Sequence, residues 1–130
     1  MRKSTAAILV MALSALPIGS AQAAPGLEGT WSGSGYVVPK SGDRENVRCR
    51  VRFSRQSTKV YSVDATCSSA TTNVVQTGEV LEVSAGRYAG DFYNPQYDIS
   101  GRIRIQMSGN HQTVNFSGAQ GQGSLSLTKQ

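Results

Sequence analysis

Three arginines stand at alternate positions in the stretch "NVRCRVRFSR": Arg48, Arg50 and Arg52, with Val47, Cys49, Val51 and Phe53 between them. Side chains two residues apart on a strand point the same way, about 7 Å apart, near the repeat of phosphates along a nucleic-acid strand or of charged headgroups on a lipid surface. Arg102 and Arg104 in "GRIRI" repeat the pattern, with Ile103 and Ile105 turned inward. If Arg48, Arg50, Arg102 and Arg104 share one continuous face, they offer a surface to an anionic envelope component. The plainer account is a solvated strand face that guards against aggregation.

The stretch "RYAGDFYNPQYD" gathers Tyr88, Phe92, Tyr93 and Tyr97 around a proline turn. Tyrosines beside Asn94, Gln96 and Asp91 could stack on a sugar or a partner protein, because their rings offer area at small entropic loss. With the preceding "VSAGRY", this makes Ser84, Arg87, Tyr88, Tyr93 and Tyr97 candidate loop contacts. Hairpin packing explains the same residues without any ligand.

Catalysis finds little support. His111 is the single histidine, in an expected turn after "SGN", and spacing assigns it no serine or cysteine nucleophile. The eight acids are scattered, and none forms a close acid and base pair. Metal-ligand clusters, phosphate loops and dinucleotide fingerprints are absent from the sequence. The chain is therefore expected to be no enzyme and to use neither metal nor cofactor.

These residues need a scaffold, and its compartment is written at the N-terminus. Arg2 and Lys3 precede an apolar run from Ala6 to Leu16, then Pro17 and Gly19, then the small-x-small pattern Ala21, Gln22, Ala23. That is the order of a secretory signal, expected over residues 1–23, leaving a single domain over 24–130. The apolar run is too short to span a bilayer. Removing Arg2 and Lys3 leaves eleven basic residues against eight acids, a net charge of about +3. So mild an excess makes nucleic acid an unexpected partner.

Cys49 and Cys67 are the only cysteines. In an exported chain, pairing is the default, and a loop of this length contributes about 3 kcal/mol by chain entropy. If the two face each other across antiparallel strands, Val51 faces Ala65, Phe53 faces Val63 and Arg52 faces Asp64. The apolar residues then share one face, and an opposite-charge pair falls on the other.

After Gly26 the sequence alternates in short segments broken by Gly, Asn, Ser and Pro every eight to twelve residues. Strands are expected at Thr30 to Val38, Glu45 to Ser54, Lys59 to Cys67, Thr72 to Thr77, Val80 to Ser84, Arg87 to Tyr93, Tyr97 to Met107, Gln112 to Ser117 and Ser124 to Thr128. Turns are expected at "KSGD", "TGE", "SAG", "NPQ", "SGN" and "AQGQG". The fold class is all-β: an antiparallel meander closing into a small barrel of about eight strands with one disulfide. The inward set is Trp31, Val37, Val51, Phe53, Val63, Val75, Leu81, Val83, Ile103, Ile105, Val114, Phe116, Leu125 and Leu127. With side chains this bulky, a mostly filled interior is expected.

"LEGTWSGSG" resembles the opening strand of the calycin barrels, lipocalins and avidins, in which Gly-x-Trp, here Gly29 and Trp31, pairs with a basic residue near the last strand, here Lys129. The resemblance implies a closed barrel floor with the cation over the indole. Biotin binding does not carry over, since Trp31 is the only tryptophan. The order of GTWSGSG, "VRC", a second cysteine and "GQGSLSL" is similar to small exported β-proteins of Gram-negative bacteria, implying a periplasmic or secreted protein. "VSAGRY" resembles a loop signature of periplasmic lysozyme inhibitors, and "LEGTW" with "CRVRF" the start of bacterial metalloprotease inhibitors.

The expected function is non-catalytic binding of an anionic envelope component or a small ligand at the barrel surface or rim. The alternative is inhibition of a lysozyme or protease through a protruding loop. The expected partners are that envelope component or a partner protein, the chain does not span the membrane, and it is a monomer or weak oligomer.

Overall fold

Alternation of period two is carried through nearly every segment, and each strand of the computed structural model, which describes residues 26–130, turns one parity inward. The signal-like segment lies outside the described residues. Eight strands follow in order: β1 (Gly29–Pro39), β2 (Glu45–Arg55), β3 (Val60–Ser68), β4 (Asn73–Ser84), β5 (Arg87–Asn94), β6 (Ile99–Ser108), β7 (His111–Gly118) and β8 (Gly121–Lys129). Each pairs antiparallel with the next, and β8 pairs with β1, so the sheet closes into a barrel without a free edge.

Closure of so short a barrel needs tight coiling where β1 meets β8. Gly33 and Gly35 face inward there, and a Cβ on either would run into the backbone of Ser126 or Ser124. Glycine lets the two strands approach where any side chain would hold them apart. Phe116 and Phe92 then lay their rings over Gly123 and Gly101 and meet edge to face, centroids 6.0 Å apart.

The disulfide hairpin has the expected register: Cys49 opposes Cys67, Val51 opposes Ala65, Arg52 opposes Asp64 and Phe53 opposes Val63. The cystine is formed, with Cα atoms 4.1 Å apart. Arg52 and Asp64 are neighbours in register yet make no ion pair; the one ion pair among the described residues joins Arg102 to Asp91 at 3.8 Å. Both partners are 79% exposed, so the contact adds at most a few tenths of a kcal/mol.

β4 departs from expectation in two ways. "TGE" is not a turn, because Gly78 continues the strand, its missing Cβ making room for the Asp91 carbonyl of β5. Val75, Leu81 and Val83 also face outward, 55%, 51% and 68% exposed, while Val74 and Val80 face inward. Pairing to β3, where Cys67 opposes Val74 and Tyr61 opposes Val80, fixes this parity. A bulge at Val83 follows, between Glu82 and Ser84. The strand expected from Tyr97 begins instead at Ile99, and His111 opens β7 rather than sitting in a turn.

The core fills the end of the barrel where β1 begins. Leu27 and Trp31 are wholly buried, packed with Phe53, Tyr61, Tyr88, Ile105 and Leu127. Trp31 donates its indole N–H to the Leu27 carbonyl at 2.9 Å, and Lys129 donates from Nζ to the Gly26 carbonyl at 2.8 Å. Lys129 Nζ lies 5.7 Å from the Trp31 ring centroid, the floor closure that the calycin resemblance implies. Each fully buried large side chain here contributes about 1.5–3 kcal/mol.

Candidate functional site

The opposite end is open. Four connections surround its mouth, at 40–44, 69–72, 95–98 and 119–120, and the inward parity of every strand continues up to it. Residues that point inward near this rim are small or polar: Ser69, Thr72, Gln76, Gly118 and Gly121. They leave a cavity of about 400 Å³. Val37, Val47, Val74, Ile99, Phe92 and Phe116 form its apolar walls, and the interior is not filled throughout, as the bulk of the core residues had suggested.

Phe92 and Phe116, with Cys67 and Gln76, also line a second space of about 40 Å³ deeper in the barrel. The edge-to-face rings thus stand as a partition between the mouth cavity and the core. The disulfide lies beside them and braces the wall, since Cys67 borders both spaces.

Polar groups ring the mouth. Asn94 is 2% exposed, and its Oδ1 accepts from the backbone N–H of Gln96 at 3.0 Å and of Tyr97 at 3.3 Å, an Asx turn that fixes the β5–β6 tip. Asp98, at φ 49°, completes this turn and accepts a hydrogen bond from Tyr93 Oη at 3.2 Å. Because Oδ1 of Asn94 is engaged, its NH₂ end is what remains for a ligand. Glu45 stands at the first position of β2, where its Oε1 accepts from Thr71 Oγ1 at 2.8 Å. Hydrogen bonds from Ser69 and Thr71 hold the Glu45 carboxyl below the ordinary glutamate value, so it is ionised at neutral pH.

The sequence-selected residues are dispersed by the topology. Arg48 and Arg50 lie on the outer face of β2, and Arg102 and Arg104 on that of β6, four strands away in either direction. They do not form one continuous face, because in a closed eight-strand barrel these strands lie on opposite sides. Arg102 and Arg104 border a shallow outer groove with Tyr36, Asn115 and Gln122, while Arg44 stacks its guanidinium 3.7 Å from the Tyr36 ring centroid.

Of the loop candidates, Ser84 and Arg87 flank a two-residue turn at the closed end, far from the mouth. Tyr88 is no loop contact: it points inward, 5% exposed, edge to face with Tyr61 at 5.7 Å, and burial pushes its phenol up. Tyr93 faces out from β5 and is tied to Asp98. Tyr97 alone lines the cavity. His111 is exposed, its Nδ1 3.4 Å from Thr128 Oγ1. No group of three His, Cys, Asp or Glu side chains suited to a metal occurs among the described residues.

In the sequence, Glu45 reads only as one of the scattered acids, and Asn94 only as a polar neighbour of the tyrosines. The signal for Glu45 was its parity, shared with Val47, Cys49, Val51 and Phe53, which turns a lone acid inward at the end of an apolar strand face.

No protein-family model matches the chain. No curated protein matches it either. Among solved structures, it is similar to a redesigned β-barrel, mFAP1, bound to DFHBI, at TM-score 0.67 and 15% identity over 79% of this chain and 94% of that one. It is also similar to a fluorescence-activating β-barrel designed de novo, at TM-score 0.62 and 16% identity over 79% of this chain and 93% of that one. Likeness at such identity concerns the fold alone.

Proposed function

We propose that this barrel is a non-catalytic binding protein that holds one small, largely apolar ligand in the cavity at its open end. The observation that carries the reading is the cavity itself: about 400 Å³, apolar in its walls and polar at its rim, within the size range of small-molecule sites. The solved barrels of similar fold give support by analogy, since mFAP1 holds DFHBI. An exported, periplasmic setting is supported by the cystine, which persists in oxidising compartments, and by the signal-like order of the N-terminus. The Trp31–Lys129 closure supports kinship with calycin-like barrels.

Two other readings draw less support. An anionic envelope component gripping all four arginines would have to reach around the barrel. An inhibitor loop at Ser84 to Tyr88 would have to act from a two-residue turn whose tyrosine is buried.

The test is a fluorescence titration with N-phenyl-1-naphthylamine, a neutral apolar probe. Wild-type protein is expected to enhance its emission with saturation on the order of micromolar. Val74→Trp, which puts an indole into the cavity, is expected to weaken binding at least about tenfold, while Arg48→Ala/Arg50→Ala and Arg102→Ala/Arg104→Ala change nothing. A folded wild-type barrel that leaves the probe dark would end the proposal.

A further inference from the structure

Every side chain lining the mouth cavity is uncharged except one, Glu45. None of the arginines of the described residues lines the cavity. Arg44, the residue before Glu45, has its guanidinium over Tyr36 on the outer wall, and Arg48, Arg50, Arg102 and Arg104 are on outer strand faces. No ion pair to Glu45 occurs among the described residues. Its carboxylate is oriented by Thr71 at 2.8 Å, an uncharged donor that fixes the group without cancelling its charge. The rim connections carry charges of both signs, Lys40 and Arg44 beside Asp43 and Asp98, so it is within the cavity lining itself that Glu45 stands as the one charge and has no ion-pair partner within 4 Å among the described residues.

We infer that the cavity selects amphiphiles with an apolar body and a positively charged ammonium head, the body between Val37, Val47, Val74 and Ile99 and the head at the Glu45 carboxylate. This rests on the binding proposal above and names the ligand class of the same site. Geometry favours it in two ways. Glu45 is inward in parity yet at the very start of β2, so it meets a ligand's end rather than its middle. The carboxylate is also partly solvated, which lets a cationic head keep much of its hydration while gaining a charge contact. An anionic head at the same place would face a fixed like charge. Lowering of the Glu45 pKa by Ser69 and Thr71 agrees, because it keeps the charge in place at neutral pH.

Three probes with one tail separate the possibilities: decyltrimethylammonium, decanol and decanoate, each used to displace N-phenyl-1-naphthylamine at low ionic strength. The ammonium is expected to displace the probe at concentrations about three- to fivefold below decanol, and decanoate at concentrations similarly above it, the size of one partly solvated charge contact. Added salt shrinks the spread. Glu45→Gln, which keeps an acceptor for Thr71, brings the three to a common affinity, with an unchanged circular dichroism spectrum as evidence of folding. Equal displacement by all three in the wild type overturns the charge selection and leaves the binding proposal standing. A preference that survives Glu45→Gln also overturns it. If the naphthylamine itself does not bind, the binding proposal fails first.

Discussion

The two ends of the barrel are built from the same eight strands and are filled in opposite ways. At the closed end the inward positions carry Trp31, Tyr61, Tyr88, Ile105 and Leu127, and the Leu27 segment folds beneath them. At the open end the same parities carry Ser69, Thr72, Gln76, Gly118 and Gly121. The strands are no wider apart at the mouth than hydrogen bonding allows; the space arises from what the side chains leave unfilled. The difference teaches that close packing and open volume are divided along the barrel axis rather than around it.

Damage at the closed end is expected to have the largest effect. Trp31→Ala removes a wholly buried indole and its bond to Leu27, a loss of about 3–5 kcal/mol in urea unfolding. A loss below about 1 kcal/mol would mean that the floor is not where stability resides. Cys49→Ser/Cys67→Ser comes next, at about 3 kcal/mol by chain entropy. Because Cys67 borders the cavity, hydrogen exchange should rise most in the wall around 66–74 and least near Trp31; uniform acceleration would erase the axial division.

The smallest expected effect lies at the mouth and appears only in acid. Glu45 has its folded-state pKa lowered, so its stabilising contribution is present above the ordinary glutamate value of 4.5 and is lost as pH falls through the lowered one. Glu45→Gln should therefore flatten the drop in Tm across that window. Parallel Tm curves for the two proteins would show that the hydrogen bonds from Ser69 and Thr71 do not hold the carboxylate in solution.

The disulfide hairpin was fully legible, because cystine geometry, apolar parity and the Arg52–Asp64 juxtaposition all demanded one register. β4 was not, since Val75, Leu81 and Val83 outweigh Val74, Gln76 and Val80 in apolar content. There the neighbour's register overrode the strand's own pattern. The arginine pairs were correctly read as outward, but whether two outward rows meet depends on how many strands separate them around a closed sheet. The cavity was hidden for a related reason: no single segment contains it. A taper was nonetheless written in the inward residues, bulky toward one end and small toward the other.

Phe92 and Phe116 stand between the mouth cavity and the smaller space below, each lying over a glycine and meeting the other edge to face. Both rings line both spaces, so the boundary between them is made of side chains and not of backbone. The depth of the cavity is therefore a matter of two residues: shortening either ring would deepen it while leaving the hydrogen-bonded wall of strands as it is.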